Sequence, residues 1–182
     1  MSGSSYRIRD QFATHFITCT IVDWVDIFTR MECKDLVVDS LNYCVRNKAL
    51  QISAWCLMSN HLHLVARAGG NAKLSEIIRD FKKWTAKGLI EWLSDDRESR
   101  REWMDYRFRF HGRFRKNVEV YHIWDDDNHS ILLENEKIFY QKIIYTHMNP
   151  VRAGIVELPE HYLHSSARDY VGTKGLVEVV VP

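Results

Sequence analysis

Between Leu50 and Arg67 two apolar runs, LQISAWCLM and HLHLVAR, are separated by only Ser59 and Asn60. Each run has the length of one strand, and the residues between them are turn formers, so the spacing predicts an antiparallel hairpin. Two apolar strands held this close need further sheet and a helical layer to bury them. Strand side chains alternate, which puts His61 and His63 on one face and Leu62 and Leu64 on the other.

The flanking sequence offers those layers. HFITCTI (15–21) is β-branched and aromatic and reads as a buried strand. From Glu32 to Lys48, Leu36, Val37, Leu41, Cys44 and Val45 recur at helical spacing. A Gly-Gly-Asn loop leads into the strongest helix, whose stripe is Leu74, Ile77, Ile78, Phe81, Trp84, Leu89 and Trp92. The charged SDDRESRREW turns helical at its end, and NVEVYHIW (117–124) reads as another strand. A last helix is expected from about Glu134 to Met148, stopping before Pro150 because residues ahead of proline avoid the α region. The tail shows little pattern until a final apolar strand. The order β-α-β-β-α-(β)-α indicates an α+β fold, a sheet with helices on one face. With no repeat or linker, residues 1–182 form one domain.

Composition excludes little. The 182 residues are 46% hydrophobic and 27% charged with net charge +1, so a nucleic-acid partner has to be recognised by local patches. No apolar run has secretion-signal or membrane-spanning character. Cys19, Cys33, Cys44 and Cys56 lack metal-binding or redox spacing and read as reduced core residues of a cytoplasmic protein.

Residues two apart on a strand lie roughly 6.5 to 7 Å apart, within reach of one metal ion. His61 and His63 are thus either two metal ligands awaiting a third or two satisfied imidazoles on a half-exposed face. On the last helix Gln141, Tyr145 and Asn149 follow at four-residue spacing and share a polar stripe. The alternative makes Tyr145 a packing residue and Asn149 a helix cap before Pro150. Tyr140 lies about 140° from Tyr145 around the helix, on the side of Ile144, and reads as packing. Cations cluster twice. Arg79, Lys83 and Lys87 form a stripe opposite the apolar face of their helix. In YRFRFHGRFRK (106–116), Arg107, Arg109 and Arg113 interleave with Tyr106, Phe108 and Phe110, a pattern suited to single strands.

MSNHLHLV, followed by YTHMNPVRAGIV, resembles the REP-associated tyrosine transposases, within the single-tyrosine HUH transposases and nucleases. HFITCTIVDW, LQISAWCLMSNHLHLV and SSARDY extend the likeness over nearly the whole chain. The resemblance implies a small antiparallel sheet akin to ferredoxin-like and RNA-recognition (RRM-like) domains, with helices packed on one face. It makes Tyr145 the nucleophile and His61, His63 and Asn149 the metal site, with Arg152 of the matched string among the DNA-contacting cations. Insertion-sequence relatives carry glutamine, longer by one methylene, at the position of Asn149, and the third ligand is either Asn149 or Gln141. Asp125 stands where many relatives have glutamine, which bears on a DNA contact.

The resemblance further implies a single-strand DNA endonuclease and strand-transfer protein acting at or near hairpin-forming repeats. A tyrosine hydroxyl attacks phosphorus to leave a 5′-phosphotyrosine and a free 3′-OH, assisted by a divalent cation, Mg²⁺ or Mn²⁺. The expected partner is single-stranded or hairpin DNA, bound by a monomer or homodimer without membrane attachment. The alternative is a catalytically silent, domesticated relative that binds such hairpins without cutting.

Overall fold

The computed structural model describes residues 8–95, 98–113 and 120–182. The hairpin forms as the turn signal requires: β2 (Leu50–Leu57) pairs antiparallel with β3 (His61–Ala68). β1 (His15–Thr20) lies on the other side of β3, opposing Thr18 to His63 and Thr20 to His61. A short β4 (Ser130–Leu132) completes an antiparallel sheet of order β2-β3-β1-β4. β3, with the histidines, is therefore an inner strand.

Alternation divides the sheet into two faces. Ile17, Cys19, Leu62, Leu64 and Ala66 point into the main core with residues of α1 (Met31–Asn47) and α2 (Leu74–Leu93). Burying each large apolar side chain contributes about 1.5–3 kcal/mol, which seats the two helices on that face. Phe16, Ala54 and Val65 point the other way and pack on Ile143 of α4 (Glu136–Arg152). The α+β antiparallel fold is thus as expected. α1 and α2 form the helical layer anticipated on one face, and α4 adds a second layer across the histidine face. α3 (Arg101–Gly112) lies beside the turn after β1.

Several expectations need correction. α4 does not stop before Pro150 but runs through it to Arg152. The lost N–H falls in the final turns, and the Asn149 side-chain amide donates to the Tyr145 carbonyl (2.9 Å). Of the strand expected at 117–124, residues 117–119 lie outside the described ones, and the rest makes one bridge, Ile21 to Trp124. β4 has taken the outer edge of β1, and Ile123 and Trp124 are apolar because they sit in the core. Trp84 does not join the stripe of α2. Thr85 takes the inward position, accepting from Trp124 Nε1 (2.9 Å), and leaves Trp84 exposed.

The tail forms no final strand. It runs along the outer edge of β2, where Leu57 N–H donates to the His164 carbonyl and Ser166 N–H to that of Trp55. Only Val180 of the last apolar run bonds to the sheet, at Ile52. This covering protects an edge that would otherwise present unpaired backbone groups. It also fixes α4. Ser166 Oγ accepts from Trp55 N–H (2.9 Å) and meets His147 Nε2 (2.8 Å), while Tyr170 meets the His147 ring edge-on and donates to the Ser53 carbonyl (2.8 Å) at an irregularity of β2. Asn135 caps the helix by accepting from Ile138 N–H, an interaction typically worth about 1 kcal/mol. Both ends of α4 are held on the sheet.

Candidate active site

The histidine strand and the tyrosine helix meet on this second face. His61 and His63 stand with ring centroids 4.6 Å apart, and the Tyr145 ring is edge-on to His63 at 5.5 Å. Phe16 stacks on His63 (5.2 Å) and forms the floor beneath both His63 and Tyr145. Tyr145 remains 37% exposed, so its hydroxyl end is open to a ligand. Tyr140 and Ile144 face solvent, so the side expected to pack is exposed instead.

Each imidazole is aimed by a neighbour. His63 Nδ1 lies 2.9 Å from Thr18 Oγ1, and His61 Nδ1 lies 2.6 Å from Asn60 Oδ1. An N–H at Nδ1 that donates to these oxygens leaves Nε2 of each ring as a free lone pair, the form that binds metal. Burial disfavours the charged rings: it lowers the pKa of His61 and pushes that of His63 down to about 3. Proximity to His61 and Lys142 adds to the shift at His63, while the Asn149 side chain, whose oxygen can accept from the protonated ring, opposes it. Both histidines are therefore neutral at physiological pH.

Of the two amides in the polar stripe, Asn149 is the one that reaches His63, whereas Gln141 is exposed to solvent. Its amide nitrogen is occupied by the Tyr145 carbonyl, so its oxygen is the group left for the histidine side. Among the described residues no three His, Cys, Asp or Glu side chains converge on one point. Two imidazole nitrogens and an amide oxygen nevertheless suit a divalent ion that keeps open positions for phosphate and water oxygens.

Two cations frame the tyrosine. Lys142 Nζ lies 4.5 Å above the Phe16 ring and 5.3 Å above that of Tyr145, and Arg152 Cζ is 5.3 Å from the Tyr145 ring. Arg152 is the one expected DNA-contacting cation that lies at this site. Lys142 was missed, although its spacing three residues before Tyr145 was a usable signal. Thr18 and Asn60 were missed too. Asn60 adjoins His61 in sequence, but the partner of His63 depends on the register of β1 against β3.

The other expected cations lie elsewhere. Arg79, Lys83 and Lys87 are on α2, behind the sheet, where they line a groove of about 810 Å³ with Tyr121, Trp124 and Asn128. Arg79 pairs with Asp80 (3.0 Å), and Lys87 approaches Glu91 at 3.8 Å. Residues 106–112 are helical, so the aromatic–arginine alternation does not separate two faces as it would on a strand. Phe108 is core, whereas Tyr106 and Phe110 are exposed and stacked on each other (6.1 Å). Arg107 meets Asp23 (3.4 Å), Arg109 meets Asp105 (2.7 Å), and Arg113 is exposed at the helix end. Residues 114–116 lie outside the described ones. Asp125 is half-buried, its carboxyl pKa raised by burial, and its carbonyl accepts from Lys82 Nζ (2.6 Å).

An antiparallel sheet thus carries paired histidines on an inner strand, facing a tyrosine on a crossing helix. A solved structure described as that of "the REP associates tyrosine transposase bound to a REP hairpin" shares this fold, with a TM-score of 0.62 at 18% identity over 99% of this chain and 92% of that one. Residues 9–115 match the family described as "Transposase IS200 like", and the chain belongs to that family. The matched region contains both histidines and ends before α4. No curated protein matches the chain. No helix among the described residues is long and apolar enough to cross a membrane.

Proposed function

We propose that the protein is a metal-dependent, single-tyrosine transposase that cleaves and rejoins single-stranded DNA at or near hairpin-forming repeats. The observation carrying this reading is the meeting of Tyr145 with His63, rings 5.5 Å apart, in an IS200-like transposase chain. The solved relative of the same fold is bound to a REP hairpin, which supports hairpin DNA as the partner.

In this reading His61, His63 and Asn149 hold a divalent ion, Mg²⁺ or Mn²⁺, with Thr18 and Asn60 fixing the two rings. When bound, such an ion neutralises and polarises the scissile phosphate. Lys142 and Arg152 bind the non-bridging oxygens and hold the phosphate beside the Tyr145 hydroxyl. Tyr145 attacks phosphorus, the P–O bond to the 3′ oxygen breaks, and the leaving strand departs with a free 3′-OH. The phosphotyrosine conserves the bond energy, so attack by a 3′-OH rejoins DNA and regenerates the tyrosine. Arg79, Lys83, Lys87, Arg107, Arg109 and Arg113 bind phosphates away from the centre. Tyr145 meets the two histidines within one chain, so this reading needs no second copy to assemble the site.

Incubation with a hairpin-bearing single strand and Mn²⁺ tests the proposal. A covalent protein–DNA adduct that depends on Mn²⁺ is the expected result. A mobility shift without any adduct would instead identify a silent hairpin-binding protein.

A further inference from the structure

The turn after β1 holds an aromatic ring in the open beside the site. Asp23 and Trp24 have φ of 53° and 55°, a left-handed backbone that aspartate tolerates and tryptophan seldom adopts. Such strain persists only where surrounding contacts fix it. Here they do. Asn60 Nδ2 donates to the Trp24 carbonyl (3.2 Å), and the Asp23 carboxylate is held by His111 (2.8 Å) and Arg107 (3.4 Å) of α3. The indole so positioned is 65% exposed, and its ring lies edge-on 6.1 Å from His61. Asn60 thus anchors both the Trp24 backbone and the His61 ring.

We infer that Trp24 is the stacking platform for the nucleobase next to the scissile phosphate. The inference rests on the transposase reading and adds to it a residue that positions the strand. A phosphate at the histidines brings a neighbouring base to the indole, whose π-face accepts any base and needs no hydrogen-bond match. The exposed pair Tyr106 and Phe110 on α3 continues the aromatic path, joined to the turn through Arg107 and Asp23. Trp24 thereby fixes which phosphate of a flexible strand stands before Tyr145.

The test compares binding, in EDTA, of a short oligothymidylate and of an equally long oligomer of abasic sites, which keeps the phosphates and lacks the bases. Trp24→Ala and Trp24→Asn should weaken oligothymidylate binding about 5- to 100-fold, the range of one lost base–aromatic stack. Abasic binding and the salt dependence should stay as in the wild type, and Trp24→Phe should bind within a few-fold of it. The asparagine variant suits the left-handed backbone, so loss of folding does not account for its loss of binding. Unchanged oligothymidylate binding by both variants, or equal loss for the two oligomers, overturns the role of Trp24 alone. A wild-type protein that binds neither oligomer overturns the single-strand reading beneath it.

Discussion

Thr18 Oγ1 lies 2.9 Å from His63 Nδ1, across the register that pairs β1 with β3. When that hydroxyl accepts from the Nδ1 N–H, Nε2 is left free to bind metal. Thr18→Val should therefore lower Mn²⁺ affinity about 10- to 100-fold, the usual effect of losing a group that orients a ligand. High Mn²⁺ should restore its cleavage. His63→Ala should lose ion-dependent cleavage at every Mn²⁺ concentration while retaining DNA binding. Calorimetric Mn²⁺ titration and cleavage assays check both, and a Thr18→Val protein with wild-type Mn²⁺ dependence would refute the arrangement.

Lys142 stands over the rings of both Phe16 and Tyr145. Replacing it by methionine keeps the apolar stem on Phe16 and removes the charge. Adduct formation should slow by roughly 100-fold, a typical effect of removing one group that stabilises charge in a transition state, with thermal stability close to wild type. Lys137→Met, at the exposed start of the same helix, is the control and should cut normally.

On α3 the arginines differ in what they have left to offer DNA. Arg109 is bound to Asp105 and stacked on Tyr121, whereas Arg113 is exposed beyond them. Arg113→Ala should lower the slope of log affinity against log salt by about 0.7, as for one phosphate contact with a single strand. Arg109→Ala should change it less, because Asp105 already balances that charge. An unchanged slope in the triple Arg107, Arg109 and Arg113 alanine variant would place the binding surface on Arg79, Lys83 and Lys87 instead.

His164 gives stability a pH dependence separate from the active site. It is 3% exposed, its Nε2 has no hydrogen-bond partner, and burial followed by Lys34 pushes its pKa down to about 4. Below the unfolded value of 6.5 the unfolded chain takes up the proton first, so stability falls with pH toward about 4. Between pH 7 and 5 this one residue should cost at most about 2 kcal/mol. Chemical denaturation of His164→Leu should show a shallower loss over that interval. An identical loss in the variant and the wild type would contradict the assignment.

The hairpin, both core helices, the shared face of His61 and His63 and the shared stripe of Tyr145 and Asn149 were legible because period and spacing encode them directly. Alternation put the histidines together, and four-residue spacing put Asn149 beside Tyr145. The sequence did not show which strand would adjoin β3, so Thr18 stayed hidden despite lying in an evident strand. Nor did it show that α4 crosses the histidine face, because an amphipathic helix declares its apolar side and not its partner. Pro150 misled for a physical reason: its restriction on the preceding residue is a preference that the sheet contacts of α4 override near a helix end. Trp84 lost its expected inward place because that place went to Thr85, whose hydroxyl accepts from Trp124 Nε1. Trp24 carried no signal, since nothing local marks a left-handed tryptophan.

The central claim is that Tyr145, set against His63, attacks DNA. Its most direct test is mass spectrometry of the peptide left joined to a short oligonucleotide after cleavage of a hairpin-bearing strand in Mn²⁺. The account predicts the nucleotide on Tyr145, no adduct with Tyr145→Phe despite normal folding and hairpin binding, and an undiminished adduct with Tyr140→Phe. A nucleotide found on Tyr140, or an adduct that survives Tyr145→Phe, would contradict it.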